Sequence, residues 1–272
     1  MRHLENALLL FARLPRPNAV KPRLAAGLAE HMDPAAAQAL TLALHTAFVE
    51  DLLDAMVTVP ASLQLWLDPA GLPEADALAQ AHQWLGQKLD RAYAIRLQQG
   101  ETSGERMAHA FETTFAEGAH RAVFLDSNVP DYPAKVIAGA FEVLHRVDAI
   151  IGPAMDGGYY ALGFAKNAYT PGVLARKTAG GNGACKATVA DLQAARLELL
   201  QLPEWNNVEE LRDLNILYRT NKQSSFKKSR TYALLTPHEA LLKTLNMDLP
   251  AMEDVIGPDH VLARLRGLAA RE

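Results

Sequence analysis

Short apolar runs alternate along this chain with segments whose apolar residues recur at helical spacing. Ala7 to Phe11, Leu63 to Leu67, Tyr93 to Leu97, Ala122 to Leu125 and Ala149 to Ile151 read as strands. Between them, Leu40, Leu44, Phe48 and Leu52 form one helical stripe, Met107, Phe111 and Phe115 a second, and Val136, Ala140, Phe141 and Leu144 a third. Asp33 followed by Pro34 predicts the cap and first residue of the earliest of these helices. Strands alternating with helices predict an α/β layered domain, and no repeat of solenoid length interrupts the pattern.

The pattern changes near Tyr218. Arg219 to Arg230 is rich in lysine, arginine and hydroxyl residues and reads as a basic linker or exposed loop. Beyond it, Thr236-Pro237-His238-Glu239 fits a capping box opening a helix with Leu241, Leu242 and Leu245, and Val261, Leu262, Leu265 and Leu268 suggest another. The expected organisation is therefore a main domain over residues 1–218, a linker over 219–230 and a helical C-terminal extension over 231–272. Two short helices bury little alone, so they are expected to pack on the main domain or on another subunit, the latter giving a homodimer.

Composition narrows this picture only a little. With 272 residues, 49% of them hydrophobic, the chain can bury the core of one large domain. A formal charge of -4 argues against general nucleic-acid binding. Cys185 is the only cysteine, which excludes an intramolecular disulfide. The apolar run Ala7 to Ala12 is too short to span a bilayer, and a cytoplasmic, soluble protein is expected.

Candidate chemistry collects in the loops that follow the strands. Gly152 to Gly163, GPAMDGGYYALG, lies between two strand-like runs and sets Asp156 beside Gly157, Gly158 and Tyr159. A substrate loop and a plain tight hairpin explain it equally well. After the first strand, Arg13, Arg16, Lys21 and Arg23 face no acidic residue between Glu5 and Glu30, a charge pattern suited to a diphosphate. Gln98 to Met107 joins a strand to a helix. There Glu105 reads as a first-turn residue, while Arg106 is open to either a ligand or a structural role. Asp126-Ser127-Asn128 follows another strand and offers oxygen donors for Mg²⁺ or Mn²⁺, with Asp131 a candidate cap for the next helix.

FARLPRPNAVKPRL, QQGETSGERMAHAF, LDSNVPDY, GPAMDGGYYALG and LPEWNNVEEL, in this order, resemble the successive motifs of the radical-SAM/selenodomain-associated transferase family, bacterial proteins regarded as glycosyltransferases. The resemblance spans roughly residues 6 to 217. It implies the GT-A nucleotide-diphospho-sugar transferase fold, a Rossmann-like, mixed but mostly parallel sheet flanked by helices, also used by nucleotidyltransferases. It further implies Arg13, Lys21, Arg23, Gly104 and Arg106 as nucleotide-binding residues, Asp156 as catalytic, and Gly157, Gly158 and Tyr159 at the acceptor. For a metal it implies Asp126, Asn128 and Asn206.

The departures are specific. Asn18 stands where the family has glycine, and Pro22 where it has threonine. Asn128 replaces the metal-binding aspartate of a Gly-Ser-Asp-Cys-Pro motif. When the family's D-V-D-T segment is laid on Glu204 to Asn207, Asn206 becomes a second amide in place of an acid. Three functions are thus expected. They are a glycosyltransferase using a nucleotide-sugar donor with weakened metal dependence, a nucleotidyltransferase acting on a phosphorylated acceptor, and a non-catalytic nucleotide-binding descendant.

Overall fold

The computed structural model describes residues 5–86, 93–174 and 183–244. Seven strands form one sheet: β1 (Asn6–Arg13), β2 (Ser62–Asp68), β3 (Ala94–Leu97), β4 (Arg121–Asp126), β5 (Ala149–Pro153), β6 (Tyr159–Ala165) and β7 (Leu199–Gln201). Their order is β3-β2-β1-β4-β6-β5-β7, with β6 antiparallel to β4 and β5 and the remaining pairs parallel. The helices are α1 (Pro22–Ala29), α2 (Pro34–Met56), α3 (Glu74–Leu85), α4 (Ser103–Ala116), α5 (Ala134–Val143), α6 (Ala184–Ala194), α7 (Leu211–Thr220), α8 (Arg230–Leu235) and α9 (Glu239–Thr244). This is the mixed, mostly parallel sheet flanked by helices that the resemblance implies, in the α/β layering that the alternation predicts.

The central strand explains the apolar runs. β1 pairs with β2 and β4 and has helices on both sides, so Leu8, Leu9 and Leu10 are all fully buried. Alternate residues serve opposite faces. Leu8 and Leu10 join Leu65, Val123 and the α5 residues Val136 and Phe141, whereas Ala7, Leu9 and Phe11 join Trp66 and the α4 residues Met107 and Phe111. Asp33 caps α2 by accepting from the Ala35 and Ala36 N–H groups, with Pro34 at the first helical position, as expected.

A third apolar cluster joins Leu24 of α1, Leu44 and Phe48 of α2, Leu214 and Leu217 of α7, Tyr232 and Leu235 of α8, and Leu242 of α9. The segment read as a linker contains the end of α7, a 3-10 turn at Ser225–Lys228 and the start of α8. Arg230 secures it by pairing with Glu50, Asp51 and Asp54 of α2. The capping box expected at Thr236 is not formed. Ser229 caps α8 through the Tyr232 N–H, and the Thr236 hydroxyl donates back to the Tyr232 carbonyl at 2.9 Å. The helix expected around Val261 to Leu268 lies outside the described residues. Asp131 does not cap α5 either, because its oxygens accept from Trp205 Nε1 and Asn221 Nδ2.

Candidate nucleotide site

Parallel strands send their outgoing loops to one edge of a sheet, and here the strand order reverses at β1, which has β2 on one side and β4 on the other. Clefts that bind ligands in open α/β sheets form at such places. A cleft of about 280 Å³ opens there, lined by residues from the ends of β1, β2, β3 and β4, from α2, and from the loop before α7.

Two arginines and one acid build its first wall. Arg13 ends β1 and lies in register with Asp68, the last residue of β2. Its Nε and Nη2 donate to Asp68 Oδ2 at 3.0 and 2.9 Å, and Arg106 Nη1, from the first turns of α4, donates to the same oxygen at 2.8 Å. Burial pushes the Asp68 carboxyl up. The Ala70 N–H and the two guanidinium groups outweigh that and hold it below its ordinary value. Guanidinium groups carry five N–H donors each, more than one shared oxygen accepts, and the Arg13 and Arg106 side chains remain 47% and 28% exposed. Gln98 braces the wall by donating to the Ala12 and Trp66 carbonyls.

The floor joins the basic loop to the acids. Asn18 has φ 60 and Lys21 φ 44, both left-handed, which explains how asparagine serves where the related pattern has glycine. Pro22 then occupies the first position of α1, where its missing N–H is harmless. This backbone sends the Lys21 side chain inward across the Phe48 ring, where Nζ donates to Asn128 Oδ1 at 2.5 Å and to the Val208 carbonyl at 2.6 Å. Burial lowers the Lys21 pKa, opposed by Glu209, Asp126 and Asp213. Asn128 Nδ2 in turn donates to Glu209 Oε1 at 2.5 Å. Burial pushes Asp126 up to about 7, with Glu209 adding to the shift and Lys21 opposing it. His45, from α2, holds the Arg13 carbonyl through Nε2 at 2.8 Å, and burial followed by the Lys21 charge lowers its pKa to about 4.

The β5–β6 hairpin contributes no residue to the lining of that cleft. Gly157, at φ 84, makes its turn, and Gly152 lies so close to the Tyr160 ring that a Cβ would meet it at 2.4 Å. Asp156 is exposed, with Oδ1 accepting from the Gly158 N–H at 2.9 Å and Oδ2 from Asn207 Nδ2 at 3.1 Å. It therefore shapes the turn, and it also lies near enough to Asp126 to raise its pKa. Tyr159 is 2% exposed and points into the core, where its hydroxyl meets the Met107 sulfur at 3.9 Å.

The remaining expected residues are dispersed. Arg23 is exposed and pairs with Glu210. Gly104 is buried in the first turn of α4, behind a capping box formed by Thr102 and Glu105. Asn206 Nδ2 donates to the Asp213 carbonyl. Glu209, rather than Asn206, reaches the Asp126–Asn128 floor. Shifting the D-V-D-T comparison by three places puts Asn207-Val208-Glu209-Glu210 beneath it, which matches the valine and gives the second acid to Glu209. Asp68, Gln98 and His45 were not foreseen. Asp68 shared with Asp126 the one available signal, a carboxylate closing an apolar strand.

A divalent cation does not fit the floor as it stands. Asn128 has one carboxamide oxygen, already held by the Lys21 ammonium, and turns its NH₂ group toward Glu209. A cation on that oxygen would sit against an ammonium, and one between Asn128 and Glu209 would meet N–H hydrogens. Among the described residues, no three His, Cys, Asp or Glu side chains converge as a metal site.

The family described as "Uncharacterized protein conserved in bacteria (DUF2064)" matches residues 52–177. The crystal structure of a protein from Desulfovibrio desulfuricans G20, provisionally assigned as a nucleotide-diphospho-sugar transferase, is 38% identical, with a TM-score of 0.81 over 90% of this chain and 99% of that one. A Leptospira borgpetersenii cytidylyltransferase matches at TM-score 0.52 and 9% identity over 91% of this chain and 100% of that one. A Methanothermobacter nucleotidyl transferase matches at 0.50 and 10% over 79% and 96%. The last two show a shared fold. No curated protein matches the sequence.

Proposed function

The chain belongs to the same family as the Desulfovibrio protein, and from this premise we propose that it is a transferase that takes a nucleotide-diphospho-sugar donor in the β1–β4 cleft. The narrower kinship with radical-SAM/selenodomain-associated transferases, and sugar transfer as the reaction, belong to this proposal. One observation carries it. Arg13 and Arg106 both line the cleft and converge on a single carboxylate oxygen, and beyond that bond and one backbone carbonyl each, at Ala19 and Gly100, they retain N–H donors with which paired guanidinium groups can receive a diphosphate.

In this reading Asp68 aims the two arginines, and the left-handed turn at Asn18 and Lys21 holds the loop around the phosphates. Stabilising charge that develops on the leaving diphosphate is the catalytic contribution of Arg13 and Arg106. Asp156, fixed by Gly158 and Asn207, accepts the proton or hydrogen bond of an acceptor hydroxyl. Gly157 and Gly158 serve that role by forming the tight turn that holds Asp156, their backbone groups being bonded to Ala154, Asp156 and Cys185.

The test is product analysis with a panel of nucleotide sugars. Release of a nucleoside diphosphate, lost in Arg106→Ala, supports the proposal. Release of pyrophosphate from a nucleoside triphosphate would instead make the protein a nucleotidyltransferase. Binding without turnover of any donor would make it a nucleotide-binding protein that has lost the reaction.

A further inference from the structure

We infer that the Lys21 ammonium is the resident cation of this cleft, standing where position 128 and the neighbouring acids would otherwise share a divalent metal, so that a phosphate-bearing ligand binds without Mg²⁺ or Mn²⁺. The inference rests on the proposed function only for the nature of that ligand. The arrangement of the floor carries the rest.

Lys21 is fixed at both ends. Its backbone is left-handed at the cap of α1, and its side chain is 6% exposed, crosses Phe48 and ends on two carbonyl oxygens. A lysine tied in this way does not swing out to follow a ligand, yet its charge remains. The charged groups acting on it are Asp126, Glu209 and Asp213, with Arg23 as an opposing like charge. Three part-buried acids around one point favour a cation, and the ammonium supplies one.

Asn128 is matched to that cation. Its carbonyl oxygen faces the ammonium while its NH₂ faces Glu209, so the amide satisfies a donor on one side and an acceptor on the other. An aspartate would turn an anionic oxygen to Glu209, an arrangement that a divalent cation would relieve and one ammonium would not. The amide at 128 and the inward lysine therefore form a complementary pair.

The test measures Mn²⁺ binding by water-proton relaxation and thermal shift on the full chain, without nucleotide. Wild type is expected to bind no Mn²⁺ below about 1 mM, whereas Lys21→Met and Lys21→Gln should each gain one site and be stabilised by the metal. Lys21→Arg, which keeps the charge, should gain none. Tight one-to-one Mn²⁺ binding by wild type that disappears in Glu209→Gln would overturn the inference, as would folded Lys21 variants that gain no site. If neither neutral variant folds, the wild-type measurement decides. A second arm compares nucleoside diphosphate affinity in EDTA and in Mn²⁺. Values within about threefold support the inference, and an increase of about tenfold or more with Mn²⁺ contradicts it. Absence of nucleotide binding in both conditions overturns the proposed function, while the nucleotide-free Mn²⁺ measurement still judges the cation.

Discussion

Lys21 and Asn128 lie 107 residues apart in sequence and meet at 2.5 Å, joining the loop after β1 to the loop after β4. Asn128→Asp should upset this junction despite its nearly unchanged shape, because the new carboxylate faces Glu209. We expect a loss on the order of 1 to 3 kcal/mol, which urea unfolding of wild type and variant checks.

Two buried groups of the cleft pull stability in opposite directions. Asp126, raised from 3.8 to about 7, binds a proton more readily folded than unfolded, so its contribution is full at low pH and is lost as pH rises through that window. His45, lowered from 6.5 to about 4, stays neutral when folded, so its contribution is full above about 6.5 and is lost as pH falls toward 4. In wild type the two slopes offset each other between pH 4 and 6.5. Asp126→Asn should make stability climb across that interval, and His45→Phe should make it fall. Thermal unfolding across a pH series of both variants shows whether the slopes separate.

The arginine pair should behave as a unit. Removing Arg106 takes away one charge-assisted contact to a bound diphosphate and should weaken binding by about tenfold or more. Asp68→Ala leaves both guanidinium groups without their shared acceptor, and it should weaken binding through misplacement even though it removes negative charge. Should Asp68→Ala instead tighten binding, charge alone would govern the wall and positioning would not.

The segment after Tyr218 is expected to contribute directly to stability. Tyr232 is 5% exposed, stacks on Tyr218 at a centroid distance of 4.9 Å and shares a core with Phe48. Tyr232→Ala should cost about 3 to 5 kcal/mol, and ending the chain after Tyr218 should lower the unfolding midpoint further by uncovering Leu44 and Phe48. A truncated chain with an unchanged urea midpoint would return the segment to the status of an appendage.

The layers were readable in the sequence because β1, β2, β4 and β5 are apolar runs buried on both faces and α2, α4 and α5 carry regular stripes. β7 escaped notice because three residues at an edge leave no periodic signal, and α3 because Ala77 and Ala81 are small. The cleft was half readable. Its basic residues stood together in the chain, but the partners that decide their roles did not. Asp68 from the end of β2, Asn128 from the loop after β4, and Val208 and Glu210 from the loop before α7 turn an apparently uncompensated run of cations into one open arginine wall, one buried lysine and one surface pair at Arg23. Asp156 holds its own turn by accepting from the Gly158 N–H, and a role toward an acceptor belongs to the proposal.

No helix among the described residues is long and apolar enough to cross a membrane. Isothermal titration of the purified chain with a panel of nucleoside diphosphates and nucleotide sugars tests the proposal that the β1–β4 cleft is a diphosphate site. The account predicts one binding site per chain, with affinity reduced by about tenfold or more in Arg106→Ala and also reduced in Arg13→Ala. No binding by any nucleotide, or the same affinity after either arginine is removed, would contradict it.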